Sequence, residues 1–348
     1  MINIIRLIII LSFGITATSC LDYKSVLNSL GLMPDPQNDS VLDHNSVMTS
    51  SNSYLYRAFN LNPISRGYPA QIEQINLTTK SRTTILGSGN GNSLDGVGLS
   101  AEFFEIEAMV YIPGSPEKLI VGDWCTIREV NLSTLNVTTV AGTTGVCVEQ
   151  NGIGTAATFE LIRGLAVSGT TLYIATANQI KQMDLITYSV SSFAGSDTKG
   201  DLDGVGAAAA LYPARMTLVG NNLYILDFNL KIKRIGILDA SVTTVAGQSG
   251  VGTNNSIDGT GTTATIDITN VSGLTSDGFK NIFWTENQKI RSLDTTTNIV
   301  KTILNSTAKP QDIDSTNLSD AKVYNPSGIH FTDLGIFISN EYGVRILK

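Results

Sequence analysis

Three observations predict an all-β fold. The composition is poor in charge and rich in turn formers: 15% of the 348 residues are charged and 32 are glycine, a profile that suits strands and turns better than helices. Short stretches such as GLAVSG (164–169), TLYIAT (171–176), QIKQMDL (179–185) and YSVSSFAG (188–195) alternate apolar and polar residues with many β-branched side chains, the period of half-buried strands. Finally, the chain repeats. An apolar-Ala-Gly ending recurs at Val140-Ala141-Gly142, Phe193-Ala194-Gly195 and Val245-Ala246-Gly247, with Ile85-Leu86-Gly87 a looser copy, at glycine intervals of 55, 53 and 52 residues. Each repeat holds four strand-like stretches. Four-stranded sheets set around an axis bury their faces against one another, so the expected architecture is a β-propeller of six four-stranded blades, or of five if the degenerate first unit is not a blade.

The N-terminus comes first in chain order. Residues 1–19 carry Arg6, an apolar run from Leu7 to Ile15, and small or hydroxylated residues leading to Cys20. That three-part layout is a secretion signal, too short for a spanning helix. Residues 20–52 are rich in Asn, Ser, Asp and Pro and read as a flexible tether, reaching up to ~100 Å when extended. The propeller is expected over 53–348.

Within it, a third strand of the form I-[RK]-x-x-[DN] marks the units: IREVN at 127, IKQMD at 180 and IRSLD at 290, with IEQIN at 72, IKRIG at 232 and VRILK at 344 as poorer copies. The second strands read LIVGDW, LYIATA, LYILDF, IFWTEN and IFISNE. The chain ends inside its last unit, before an outermost strand, and Asn45–Ser51 is the candidate for a strand that closes the ring there. The first unit's second strand is hard to place near Pro63–Ala70.

A third motif links the units. Asp95-Gly96, Asn151-Gly152, Asp203-Gly204 and Asp258-Gly259 are each followed, six residues on, by Ala101, Ala157, Ala209 or Ala264, and two further on by Phe103, Phe159, Leu211 or Ile266. The anchored alanine and apolar residue imply a turn that carries the chain from one blade to the next. Calcium is the competing reading. An EF-hand, however, needs alternating acidic ligands and a glutamate at position twelve, whereas Lys199 stands at the first position and Ala210 at the twelfth. A phosphate cradle would need a lysine after the glycines and a strand–helix unit around them.

The repeats resemble NHL repeats, whose units run roughly LYVAD, N-x-I-R-K-V-D, TVTTLAG and DGxGxxAxF; here LYILDF (223–228), IRSLD (290–294), VTTVAG (137–142 and 242–247) and the DGVG segments carry the likeness. It covers about residues 53–348 and implies the propeller. The end of the leader likewise resembles the lipobox of bacterial lipoproteins, with Ala17 where leucine is usual. That resemblance implies lipidation of Cys20, as in a diderm bacterium.

With Cys20 lipidated, Cys125 and Cys147 remain. One follows a second strand and the other a fourth, so their loops lie at the same end of an up-and-down sheet. They form either a disulfide, contributing ~3 kcal/mol in the chain-entropy model, or two unpaired thiols. The same parity places the ends of the second strands at that end: Asp123, Thr176, Asp227, Glu286 and Asn340, with Trp124 and Phe228 beside two of them. Asp123, Trp124, Asp227, Phe228, Glu286 and Asn340 are the candidate binding face. Arg128, Lys181, Lys233, Arg291 and Arg345 follow on the third strands, either as local ion pairs or as anchors for a partner.

The net charge of −7 and the absence of Lys/Arg runs argue against nucleic acid. Only two histidines occur, His44 in the tether and His330 on an expected inner strand, too few for a zinc site without acidic partners. No catalytic set converges in the sequence, and no cofactor or metal site is assigned. The expected molecule is an exported, lipid-anchored monomer in the cell envelope, binding a protein or other macromolecule through one propeller face. A lyase or hydrolase with an acidic metal site in the channel, or a structural envelope protein, are the alternatives.

Overall fold

The computed structural model describes residues 46–60, 70–249, 256–268, 273–305, 323–340 and 343–347. Cys20, the leader, His44 and most of the tether lie outside them. The fold is a six-bladed β-propeller. Its inner strands are Val47–Ser50, Ile106–Ile112, Gly164–Ser168, Pro213–Val219, Leu274–Ser276 and Gly328–Thr332, and each starts an antiparallel sheet that runs outward in chain order. The third strands fall at 70–76, 126–131, 179–184, 231–236, 289–294 and 343–347, the positions the I-[RK] motif marks.

Closure differs from expectation. The segment expected as a closing outer strand is the innermost strand of blade one, with Val47–Ser50 pairing to Tyr54–Asn60. Blade six has three strands among the described residues. Blade one's second strand is 54–60, upstream of the place expected for it. The ring meets through apolar packing of Met48, Leu55, Ile75 and Leu77 against Phe337 and Val344, and through the Ser46 N–H donating to Ser327 O at 3.2 Å. Alternation explains why this suffices. The apolar faces of neighbouring blades form six clusters, one at each blade-to-blade boundary, so the core is distributed around the ring and closed by the last boundary.

The Asp-Gly segments sit outside the sheets. Gly96–Val97, Gly152–Ile153, Gly204–Val205 and Gly259–Thr260 each pair with the outermost strand of the following blade, adding a short fifth strand. A 3-10 turn follows, and the chain then dives to the next inner strand past the buried alanine and apolar anchor. The two glycines serve different ends. A Cβ on Gly96 would sit 2.8 Å from the Ser100 carbonyl oxygen, whereas Gly98 adopts φ +59, where other residues are strained. In three of the four copies the acid is itself a tie: the Asp95, Asp203 and Asp258 carboxylates accept the backbone N–H and hydroxyl of Thr139, Thr244 and Thr302 on that outermost strand.

Behind each tie lies a buried cation from the third strand. In blade two, Arg128 is wholly buried and donates to Asp95 at 2.8 Å, Asp123 at 2.9 Å, Ser93 at 3.2 Å and the Glu102 carbonyl at 3.2 Å. Lys233 pairs with Asp203 and Asp201, and Arg291 with Asp258 and Glu286. Desolvating these charges is costly, but each cation meets several acceptors, which is the condition under which a buried pair persists.

Candidate binding face at the channel mouth

The six inner strands surround a channel of about 260 Å³, lined mainly by Met, Leu, Val, Thr and Ser side chains. His330 lies on its wall, with Nε2 2.9 Å from the Ser50 hydroxyl. The ring touches the narrow bore yet stands far from bulk water, and that burial brings its pKa down to about 4. Among the described residues no three of His, Cys, Asp and Glu converge in a metal-binding cluster.

Where the second strands end, the channel opens. Of the six residues expected on this face, Asp123, Asp227, Glu286 and Asn340 are buried, at 1% exposure or less. They are not a rim offered to solvent. The incoming connection folds over each strand end and uses its polar atoms: Asp123 accepts the N–H groups of Phe104 and Glu105, both at 2.9 Å, and the Ser93 hydroxyl at 2.5 Å. Asp227 accepts from the Tyr212 and Asn229 N–H groups. Glu286 takes the Trp284 indole N–H at 2.8 Å and the Asp267 N–H at 2.9 Å. The Asn340 side-chain amide donates to Tyr324 O. Burial pulls the pKa of Asp123 and Asp227 upward against these hydrogen bonds and the neighbouring cations.

The aromatic residues do reach the surface. Trp124 stacks on Phe104 with centroids 4.5 Å apart, and Phe228, 38% exposed, packs on Tyr212 at 4.7 Å. Backbone bonds hold the arc together, from Trp124 N–H to Glu105 O at 2.9 Å and from Ile162 N–H to Trp124 O at 2.8 Å. Trp124 has φ +55, a conformation costly for a bulky residue and one that concentrates at binding sites. Next to it, Cys125 and Cys147 form a disulfide, their Cα atoms 5.4 Å apart, tying this hairpin loop to the connection that leads into blade three.

Sequence reasoning missed the charged residues that line the mouth. Four positions after the anchors Phe103, Phe159 and Leu211 stand Glu107, Arg163 and Arg215, all lining the channel. The repeat register contains that signal; what it lacks is which end of the inner strand opens to solvent. Glu107 and Arg215 pair at 3.1 Å. Burial, and then the charge and hydrogen bond of Glu107, push Glu105 up to about 7. Arg163 lies 5.0 Å over Phe228 and 5.4 Å over Tyr212, and Lys199 lies 5.0 Å over Tyr212. The mouth is therefore aromatic and cationic, on a chain whose overall charge is −7.

No protein-family model and no curated protein matches the chain. Solved structures do resemble it in fold. The extracellular domain of a Bacteroides thetaiotaomicron protein described as a hybrid two-component system is 12% identical with a TM-score of 0.50, over 90% of this chain and 39% of that one. An auxiliary nutrient binding protein of the same species is 13% identical with a TM-score of 0.45, over 87% and 98%. One from Bacteroides ovatus is 12% identical with a TM-score of 0.44, over 88% and 98%. At these identities the likeness is one of propeller architecture alone.

Proposed function

We propose that the chain is an exported, monomeric NHL-type propeller, anchored to a membrane through Cys20, that binds a protein or other macromolecule at the mouth of its channel. The observation that carries this is the arc of Phe104, Trp124, Tyr212 and Phe228 around an open mouth, joined by Arg163 and Lys199. Aromatic and arginine side chains are the common energetic anchors of protein surfaces, and here they are held by disulfide, backbone and stacking contacts, so little ordering remains to be done on binding. Export is supported by the leader and by the Cys125–Cys147 bond, which persists in oxidising compartments. The test is capture of partners from cell-envelope extracts on immobilised protein. A genuine partner is retained by wild type and lost with Trp124→Ala and with Phe228→Ala, by about thirtyfold in affinity if these are hot spots. It is kept by Phe279→Ala, which removes a still more exposed ring from the opposite end of a blade. Equal loss in all three variants would sink the reading.

A further inference from the structure

We infer that Arg163 is the receptor for a ligand carboxylate, so that the channel mouth takes an organic acid whose ring or planar body lies on Tyr212 and Phe228. This rests on the binding-face reading above and adds the chemical class. The reasoning begins with the arginines. Arg57, Arg82, Arg128, Arg215 and Arg291 each have a carboxylate within 3.3 Å. Arg163 has none among the described residues. Its Nη1 donates to the Pro213 carbonyl at 3.1 Å, and the guanidinium lies against the rings of Tyr212 and Phe228. Burial and the neighbouring Arg215 oppose its charge, while Tyr212 and the more distant Glu107 carboxylate support it. The guanidinium is half-buried, gives one donor to a carbonyl and lies against two rings, and its remaining donors are left for water or a ligand.

The surroundings repeat the bias. The Glu107 carboxylate near Arg163 is engaged by Arg215 at 3.1 Å. Lys199 adds a further cation on the far side of Tyr212. The mouth thus carries surplus positive charge on an acidic protein, which attracts anions and disfavours other basic groups. A carboxylate matches the guanidinium fork with two parallel hydrogen bonds, as an ammonium or hydroxyl does not. The exposed face of Phe228 then covers an adjoining ring or planar group.

Calorimetric titration of the purified protein with benzoate and glucuronate, each beside its neutral counterpart benzamide or glucose, tests this. One acid at least is expected to bind about tenfold or more tightly than its neutral partner, with affinity falling as salt rises. The acid that binds tells whether the carboxylate is borne on an aromatic or a sugar ring. Arg163→Gln should abolish the preference, and Glu107→Gln, which removes a negative charge beside the two arginines, should strengthen acid binding. Equal binding of acids and neutral compounds, no binding of either acid, or an acid preference that survives Arg163→Gln would each overturn the inference. The two readings fail separately. An envelope partner lost with Trp124→Ala and Phe228→Ala but held equally by Arg163→Gln leaves the binding face standing and removes the carboxylate.

Discussion

In blade two, Arg128 receives carboxylates from Asp95 and Asp123, while the Ser93 hydroxyl accepts from Arg128 and donates to Asp123. In blade three the second strand ends in Thr176, the turn residue is Asn151, and the cation is Lys181. There the carboxylate comes from Glu149, 3.2 Å from Lys181 and at the position Ser93 holds in blade two, while Asn151 accepts at 2.9 Å. Blade five follows blade two, with Ser256 donating to Glu286. The negative charge has moved from a strand end to a loop, and the loop version is less well matched. Thr158 Oγ1, Asn178 Oδ1 and Gln179 Nε2 are buried there without a hydrogen-bond partner among the described residues. The repeat therefore keeps a carboxylate on the buried cation rather than a residue at each position, two in blades two and five and one in blade three.

The largest effect should come from breaking the better network. Asp123→Ala removes one of the two carboxylates on buried Arg128 and leaves two backbone N–H groups without their acceptor, and should cost about 3–5 kcal/mol. The equivalent Thr176→Ala loses one hydroxyl that donates to Gln179 O and should cost about 1 kcal/mol. Denaturant unfolding of the two variants checks the contrast. The double variant Ser93→Glu with Asp123→Thr rebuilds blade three's arrangement in blade two and should recover at least half of the Asp123 loss. No recovery would mean that the carboxylate's position matters more than its presence.

The disulfide comes next. It closes a loop of 22 residues, and replacing both cysteines by serine should cost about 3 kcal/mol in the chain-entropy model. Glu149 stands two residues beyond Cys147, so the bond also steadies the loop that supplies blade three's charge. Below this lies Glu149→Gln, which leaves Lys181 with Asn151 and should cost about 1–3 kcal/mol. If the bridge positions Glu149, the two losses will be less than additive in a double-mutant cycle. Strict additivity would separate them.

Blade number and strand order were legible because each blade repeats its apolar register, and every third strand lies where the I-[RK] motif puts it. Blade one's inner strand was not. VMTS is four residues long and carries none of the motifs, so only the packing of Met48 on blade six reveals its place. The acidic strand ends were misread for a related reason. Strand parity locates Asp123 at the loop end of its sheet, but the segment from Ser93 to Glu105 folds back over it through bonds between Leu94 and Glu102, and a connection of that length leaves no pattern of where it will lie. Arg163 shares its repeat position with Glu107 and Arg215. Its lack of a carboxylate is a three-dimensional fact.

A last prediction separates the channel wall from its mouth by pH. His330 titrates at about 4 in the fold against 6.5 for an exposed histidine. Between those values the unfolded chain binds more protons at this site, so His330 makes stability rise with pH. Glu105 works the other way. Its carboxyl titrates at about 7 against an ordinary 4.5, so over that window the folded protein holds the proton and stability falls as pH rises. The two slopes overlap from about pH 4.5 to 6.5 and offset one another in the wild type. Asp201, held down to about 2 against its own burial by Lys231, Ser249 and Lys233, contributes stability that is lost below this window. Thermal unfolding across pH 4.5–6.5 should therefore show Glu105→Gln gaining stability with pH relative to wild type. His330→Gln, which keeps a side chain able to bond Ser50, should lose it. Asp227, raised by burial, is common to all three proteins, while Asp123 is coupled to Glu105 and responds with it. Parallel profiles would mean that neither site feels the desolvation that the narrow bore and its crowded mouth impose.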